Sequence, residues 1–143
     1  MASALRAVLD TNVVLAAKRS KHPLSPNTEI LDRWQSREFH FLFSLDTLPE
    51  YAEKLLERGI PAEEVEDFLR LVARHGELVT VMFFHFRHYP VDADDVMFLL
   101  CALNGNATHL VSYDDHLLGL RSFYLTELSI CRPLDFLRDG RKS

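Results

Sequence analysis

Apolar positions along the chain change period from segment to segment, and the changes mark out elements. Leu5 to Leu9 is a short apolar run that ends at Asp10-Thr11-Asn12, and Val13 to Ala17 continue at helical spacing. The pattern predicts a strand, a polar junction able to cap a helix, and the helix itself. Pro23, Ser25, Pro26 and Asn27 make residues 19–27 a loop, after which Thr28 can cap a helix with a narrow stripe of Ile30, Leu31 and Trp34. Phe39 to Phe43 is aromatic enough for a strand. Leu48, Tyr51, Ala52, Leu55 and Leu56 then repeat at helical spacing up to Gly59. Pro61 opens a further helix, with Val65, Phe68, Leu69 and Val72 on one face and Gly76 beyond. Leu78 to Phe83 predicts a strand, and a loop through Pro90 leads to Asp92-Ala93-Asp94-Asp95. Val96 to Leu103 is apolar nearly all round, which predicts a buried helix ended by Gly105. Thr108 to Ser112 and a stretch within residues 124–131 complete the strands, and Pro133 opens a short terminal helix.

The order β-α-α-β-α-α-β-α-β-α-β-α predicts an α/β protein, with a mostly parallel central sheet of about five strands covered by helices on both faces. No repeat, low-complexity tract or linker interrupts the pattern, so residues 1–143 are expected to form a single domain.

Four acids stand at informative places in that layout. Asp10 ends the first strand, Asp114 follows the run His109 to Ser112, and Asp95 opens the buried helix. Parallel strands put their carboxyl ends on one edge of the sheet, where open α/β folds build sites. Carboxylates crowded on that edge repel one another unless a hard divalent cation lies between them. Each acid also has a plainer use: Asp10, Asp92, Asp94 and Asp95 can cap helices, and Asp114 with Asp115 can shape a turn. Glu50 is different, because a helical wheel places it beside Lys54 and Glu57, away from the Leu48/Tyr51/Leu55 stripe, and so predicts that it faces solvent.

Composition refines this picture only slightly. A hydrophobic content of 48% and a charged content of 26% are ordinary for a globular protein. There is no apolar run of membrane-spanning length and the N-terminus lacks a secretory pattern, so a cytoplasmic location without membrane partners is expected. Cys101 and Cys131 sit in apolar surroundings and read as core residues. The net charge of −5 does not advertise a nucleic-acid binder, although an acidic site supplies part of it. Lys18, Arg19, Lys21 and His22 follow the first motif, and His85, Arg87 and His88 interleave with Phe84, Phe86 and Tyr89. Either group can be a solvated loop or can hold phosphates and bases beside the site.

The run Val8-Leu9-Asp10-Thr11-Asn12-Val13-Val14-Leu15 resembles the opening of a PIN domain. Asp92-Ala93-Asp94-Asp95-Val96-Met97-Phe98-Leu99-Leu100-Cys101-Ala102 is similar to the third acidic motif of that family, and Leu110-Val111-Ser112-Tyr113-Asp114 to the fourth. Glu50 in Leu48-Pro49-Glu50-Tyr51 falls where the second acid lies. The motifs occur in order over almost the whole chain, and the subgroup they most resemble is the VapC-type toxins of toxin–antitoxin pairs. The resemblance implies an endoribonuclease that cleaves RNA phosphodiester bonds with water activated by Mg²⁺ or Mn²⁺. Asp10, Glu50, Asp95 and Asp114 are then both catalytic residues and metal ligands. Thr11, Asn12 and Ser112 are expected to support them, and Lys18, Arg19, Lys21 and Arg87 to contact RNA. A cognate antitoxin and a homodimer, using apolar surface on the helices of residues 28–74, also follow from the resemblance. Asp94 competes with Asp95 for the third position, and Asp115 and His116 are either assistants or bystanders.

Three other functions compete for the same residues. An aspartyl-nucleophile phosphatase usually carries a second acid two residues after the first, where this chain has Asn12. A receiver domain needs a lysine near the end of a late strand, and Lys54 and Lys142 are badly placed for it. A PIN-like module that binds without catalysis has no need of the retained acids.

Overall fold

The computed structural model describes residues 5–20, 22, 24–82 and 93–142. The chain runs β1 (Arg6–Leu9), α1 (Thr11–Arg19), α2 (Pro26–Gln35), β2 (His40–Phe43), α3 (Thr47–Glu57), α4 (Ala62–His75) and β3 (Glu77–Leu78). It continues through α5 (Ala93–Asn104), β4 (His109–Val111), α6 (Asp115–Leu118), a 3-10 turn (Arg121–Phe123), β5 (Ser129–Cys131) and α7 (Pro133–Lys142).

All strand pairs are parallel, in the order β3-β2-β1-β4-β5. From β1 the chain winds outward through β2 to β3, then returns to the other side of β1 to form β4 and β5. The direction of winding therefore reverses between β1 and β4, and in parallel sheets the crevice outside the strand ends at such a reversal is where ligands bind. Ala7, Val8 and Leu9 of β1 are fully buried in sequence, as expected of a strand covered on both faces.

The core is strongly aromatic on one side of the sheet. Phe41 of β2 lies 4.6 Å from Trp34 of α2, and its ring also meets Tyr51 of α3 and Phe68 of α4. Tyr51 in turn touches Phe98 of α5, so the helices that flank the strand ends are locked together by ring contacts. α5 packs against β1, β2, β4 and α3, and its Phe98, Leu99, Leu100, Cys101 and Ala102 are buried, in line with its all-round apolar sequence. Both cysteines are buried free thiols whose pKa is pushed up to about 12 by burial, which fits a core role.

Some boundaries differ from expectation. α2 starts at Pro26 rather than Thr28, because proline's fixed φ suits the first helical position. The strand expected over Leu78–Phe83 pairs only through Glu77 and Leu78, with one further bond from Val79 N–H to the Phe43 carbonyl; Phe83 lies outside the described residues. The last strand begins at Ser129, the preceding residues being taken up by the 3-10 turn and the turn after it. Among the described residues, no helix is long and apolar enough to cross a membrane.

Candidate active site

β1 and β4 are hydrogen-bonded neighbours, so the residues that follow them meet. The Asp10 N–H bonds to the Val111 carbonyl at 2.9 Å, which fixes Asp10 beside the end of β4. Asp10 caps α1: its Oδ1 accepts from the Thr11 N–H at 2.7 Å, and its Oδ2 accepts from the Ser112 hydroxyl at 2.6 Å. Ser112 Oγ in turn accepts from the Asp114 N–H at 2.8 Å. Asp114 caps α6 by accepting from the His116 N–H at 2.8 Å. Capping and site-building, rival uses of these acids in the sequence, coincide in the fold. A strand that turns directly into a helix puts the capping carboxylate at the sheet edge.

The third wall is α3. Tyr51 is fully buried and donates its hydroxyl proton to the Leu9 carbonyl, one residue before Asp10. That bond pins α3 against the end of β1 and turns its polar stripe, Glu50 and Lys54 with Arg58 just after the helix, into the groove. The solvent-facing position expected for Glu50 is therefore corrected: it is half-buried and lines the same cavity as Asp10, Asp95 and Asp114. The wheel separates polar from apolar correctly, but the polar face of this helix looks onto a cleft.

α5 closes the groove with Asp94, Asp95 and Phe98. Asp95 is buried, whereas Asp94 is exposed at the rim, 4.0 Å from Lys54 Nζ. The cavity measures about 290 Å³. Single ligand atoms of Asp95, Asp114 and His116 lie within 4.8 Å of one another, the one such grouping among the described residues. Asp10 and Glu50 face the same space outside that triad, the Asp10 oxygens being held by Thr11 and Ser112. Asp115 is exposed and lies 3.8 Å from Arg132, in a separate depression.

Electrostatics follow from this crowding. Burial pushes the Asp10 carboxyl up to about 6; the bonds from Ser112, Thr11 and Asn12 oppose the rise, and the charge of Asp114 adds to it. Glu50 is also raised, first by burial and then by Asp94. Four carboxylates and an imidazole form a hard, oxygen-rich donor set that suits Mg²⁺ or Mn²⁺, and a divalent charge would relieve the strain on Asp10. The Thr11 hydroxyl is buried without a hydrogen-bond partner beside it, a further polar atom available to the groove. The residues fit a divalent cation.

A family model described as PIN domain matches residues 6–116, a span that includes all four acids. The chain belongs to the PIN domain family. Members of this family are nucleases. Eight chains of solved structures match this PIN domain. One belongs to the crystal structure of VapBC2 from Rickettsia felis bound to a DNA fragment from their promoter. It has a TM-score of 0.60 and 13% sequence identity, over 90% of this chain and 98% of that one. At that identity the likeness is one of fold. No curated protein matches the chain.

Of the cations expected to contact RNA, Lys18 and Arg19 lie away from the groove in this PIN domain. Lys18 lies with its Nζ 5.4 Å from the centre of the Phe68 ring, and Arg19 donates to the Arg58 carbonyl at 2.9 Å. Both are used to hold α1 against α3 and α4, and neither lines the groove. Lys21, Arg87 and the surrounding His85 and His88 lie outside the described residues. Among the described residues, the cations that line the groove are Lys54 and Arg58. Their helical spacing, one and two turns beyond Glu50, was readable in the sequence, but only with the knowledge that the polar face of α3 meets the sheet edge. Asn12 accepts from the Tyr113 N–H at 3.3 Å and so ties the two acidic junctions together.

Proposed function

We propose that this PIN domain, acting as one domain over residues 1–143, is a Mg²⁺- or Mn²⁺-dependent endoribonuclease and the toxin of a toxin–antitoxin pair in the cytoplasm. The observation that carries the reading is the convergence of Asp10, Glu50, Asp95 and Asp114 on one groove at the point where the sheet reverses its winding. A bound divalent cation supplies Lewis acidity toward the scissile phosphate and a lowered pKa for the attacking water. The protein's own part is to hold oxygen donors in place. Ser112 orients Asp10 and the backbone of Asp114 together, Tyr51 fixes the height of Glu50, and buried Asp95 presents its carboxylate from the first turn of α5. Lys54 and Arg58 offset the acids and are placed to bind phosphates on either side of the cut.

The toxin assignment is supported by the fold shared with a chain of the VapBC2 complex. It carries with it a cognate antitoxin and a homodimer. Among the described residues, Leu56 is the one large apolar side chain exposed on α2, α3 and α4, so surface beyond these helices must contribute to a dimer. A short DNA-binding protein encoded next to this chain would support the toxin role.

The test is cleavage of single-stranded RNA with Mg²⁺, with Mn²⁺ and with chelator. Metal-dependent cleavage that falls by about a hundred- to a thousandfold in Asp95→Asn is expected. An unchanged rate in Asp95→Asn and Asp10→Asn would overturn the assignment. No cleavage and no metal binding by the wild type would favour the inert binding module.

A further inference from the structure

A cavity of about 480 Å³ is at the opposite edge of the sheet from the acidic groove. It opens where α2 and α4 end and β2 begins, and its chemistry is the reverse of the groove's. Arg37 and Arg74 line it, joined by the imidazoles of His40 and His75, and none of its lining side chains is acidic. In a chain of net charge −5 this is a local inversion. Neither arginine has an ion-pair partner among the described residues. Of the acids nearby, Glu77, which interacts with His40, is bonded to Arg6, and Glu38 lines a separate small cleft rather than this one. The floor is apolar, made by Trp34, Phe39 and Leu71, with the carboxamide of Gln35 at the side.

Cations in the last turn of a helix often serve only to complement its dipole, and this accounts for Arg74 and His75 taken singly. It does not account for Arg37. The end of α2 forms a complete Schellman turn, with the Arg37 N–H bonded to the Trp34 carbonyl at 2.8 Å and the Glu38 N–H to the Arg33 carbonyl at 2.9 Å. Arg37 occupies its left-handed position at φ 62°, where glycine is the usual residue. A long cation is held there at a cost to the backbone, and it lines the cavity.

We propose that this cavity binds a phosphorylated nucleoside, either a free nucleotide or the end of an RNA strand. The phosphate lies between the guanidinium groups of Arg37 and Arg74, which suit a bidentate oxyanion. The base covers the apolar floor, and Gln35 reaches its polar edge. A cavity of this size with an apolar floor and a few convergent polar groups matches small-ligand sites in general. Nothing in this site depends on the acidic groove, so each reading can fail without the other.

The chain contains one tryptophan, Trp34, which lines the cavity, so its indole N–H resonance reports on occupancy. The full-length protein in chelator is titrated with AMP, with a 5′-phosphorylated trinucleotide, with adenosine and with a tetraglutamate peptide. A saturable shift with AMP points to the free nucleotide, and one confined to the trinucleotide, or tighter for it, points to the RNA end; both support the site. Adenosine is expected to bind about tenfold or more weakly than AMP, and Arg37→Gly and Arg74→Ala each to weaken AMP by about ten- to a hundredfold. Arg37→Gly should melt no lower than wild type, because glycine relieves the backbone, so lost binding cannot be put down to misfolding. Asp10→Asn should bind as wild type does. The proposal is overturned if neither phosphate ligand shifts the resonance, if adenosine matches AMP, if both arginine substitutions leave binding intact, or if only the peptide binds.

Discussion

The two edges of this sheet treat a carboxylate in opposite ways. At the edge where the strands end, Asp10 is buried beside Asp114 and its pKa is pushed up to about 6. At the edge where they begin, Glu77 accepts from Arg6 at 2.9 Å, and that hydrogen bond holds its carboxyl below the ordinary range. Arg6 also donates to the Gly105 carbonyl at 2.8 Å, so one side chain ties β1, β3 and the turn after α5. The difference separates an acid that the fold pairs with its own cation from an acid whose charge the fold does not balance. Such unbalanced charge concentrates at functional sites, where the compensating partner is a ligand.

Removing that unbalanced charge should give the largest change in stability. A carboxyl whose pKa is raised by folding contributes stability below its unfolded value, and the contribution is lost as pH rises through the folded value. For Asp10 the metal-free fold should weaken between about pH 4 and pH 6, by on the order of 2–3 kcal/mol. Asp10→Asn keeps an oxygen for the Thr11 cap, and the Ser112 hydroxyl can accept from the new amide. Denaturant melts in chelator at pH 7 should therefore show the variant more stable than wild type by about that amount, with the gap closing toward pH 4. A variant less stable at pH 7 would show that Asp10 is balanced after all.

Tyr51→Phe comes next. It leaves the Leu9 carbonyl without its buried donor and should cost about 1–2 kcal/mol. Because this bond sets the position of α3, the same change should also weaken divalent-cation binding while Glu50, Asp10, Asp95 and Asp114 remain in place. A stability loss with cation affinity unchanged would mean that α3 is held at the groove by its ring packing alone.

The smallest effect belongs to the balanced acid. The Arg6–Glu77 pair is partly exposed and therefore screened, so Glu77→Gln should cost less than about 1 kcal/mol at neutral pH. The sign is opposite to that of Asp10: a depressed carboxyl contributes above its unfolded pKa and loses the contribution as pH falls through the folded one. Wild type and variant should converge in acid, and convergence at high pH would contradict the contrast between the edges.

Much of this was legible in the sequence because β1 and β4 are short apolar runs that end in an acid. Asp10 and Asp114 follow from strand ends alone, and Asp95 from its place at the head of a helix too apolar to face water. Glu50 was not legible from its own segment. Its helix is amphipathic in the ordinary way, and only the Tyr51–Leu9 bond, between residues far apart in sequence, reveals that the polar stripe faces the sheet edge. Long-range placement also explains why the described cations that line the groove are not those nearest Asp10 in sequence. Lys18 and Arg19 belong to the helix that Asp10 caps, yet α1 carries them away from its capped end, onto Phe68 and the Arg58 carbonyl. Lys54 and Arg58 are distant in sequence and adjacent in space. The weakness of β3 was hidden for a related reason: Val79 to Met82 is apolar enough for a strand, but the ladder with β2 is complete after two residues.

The central claim is that the acids of the carboxyl edge form a single cation site. It is tested most directly by thermal melts of wild type, Asp10→Asn and Asp95→Asn with and without Mn²⁺. Binding to the native state alone raises stability by about 2.7 kcal/mol when the free ion reaches a hundred times its dissociation constant. The account predicts a clear rise for the wild type and little or none for either variant. Equal rises in all three proteins would contradict it.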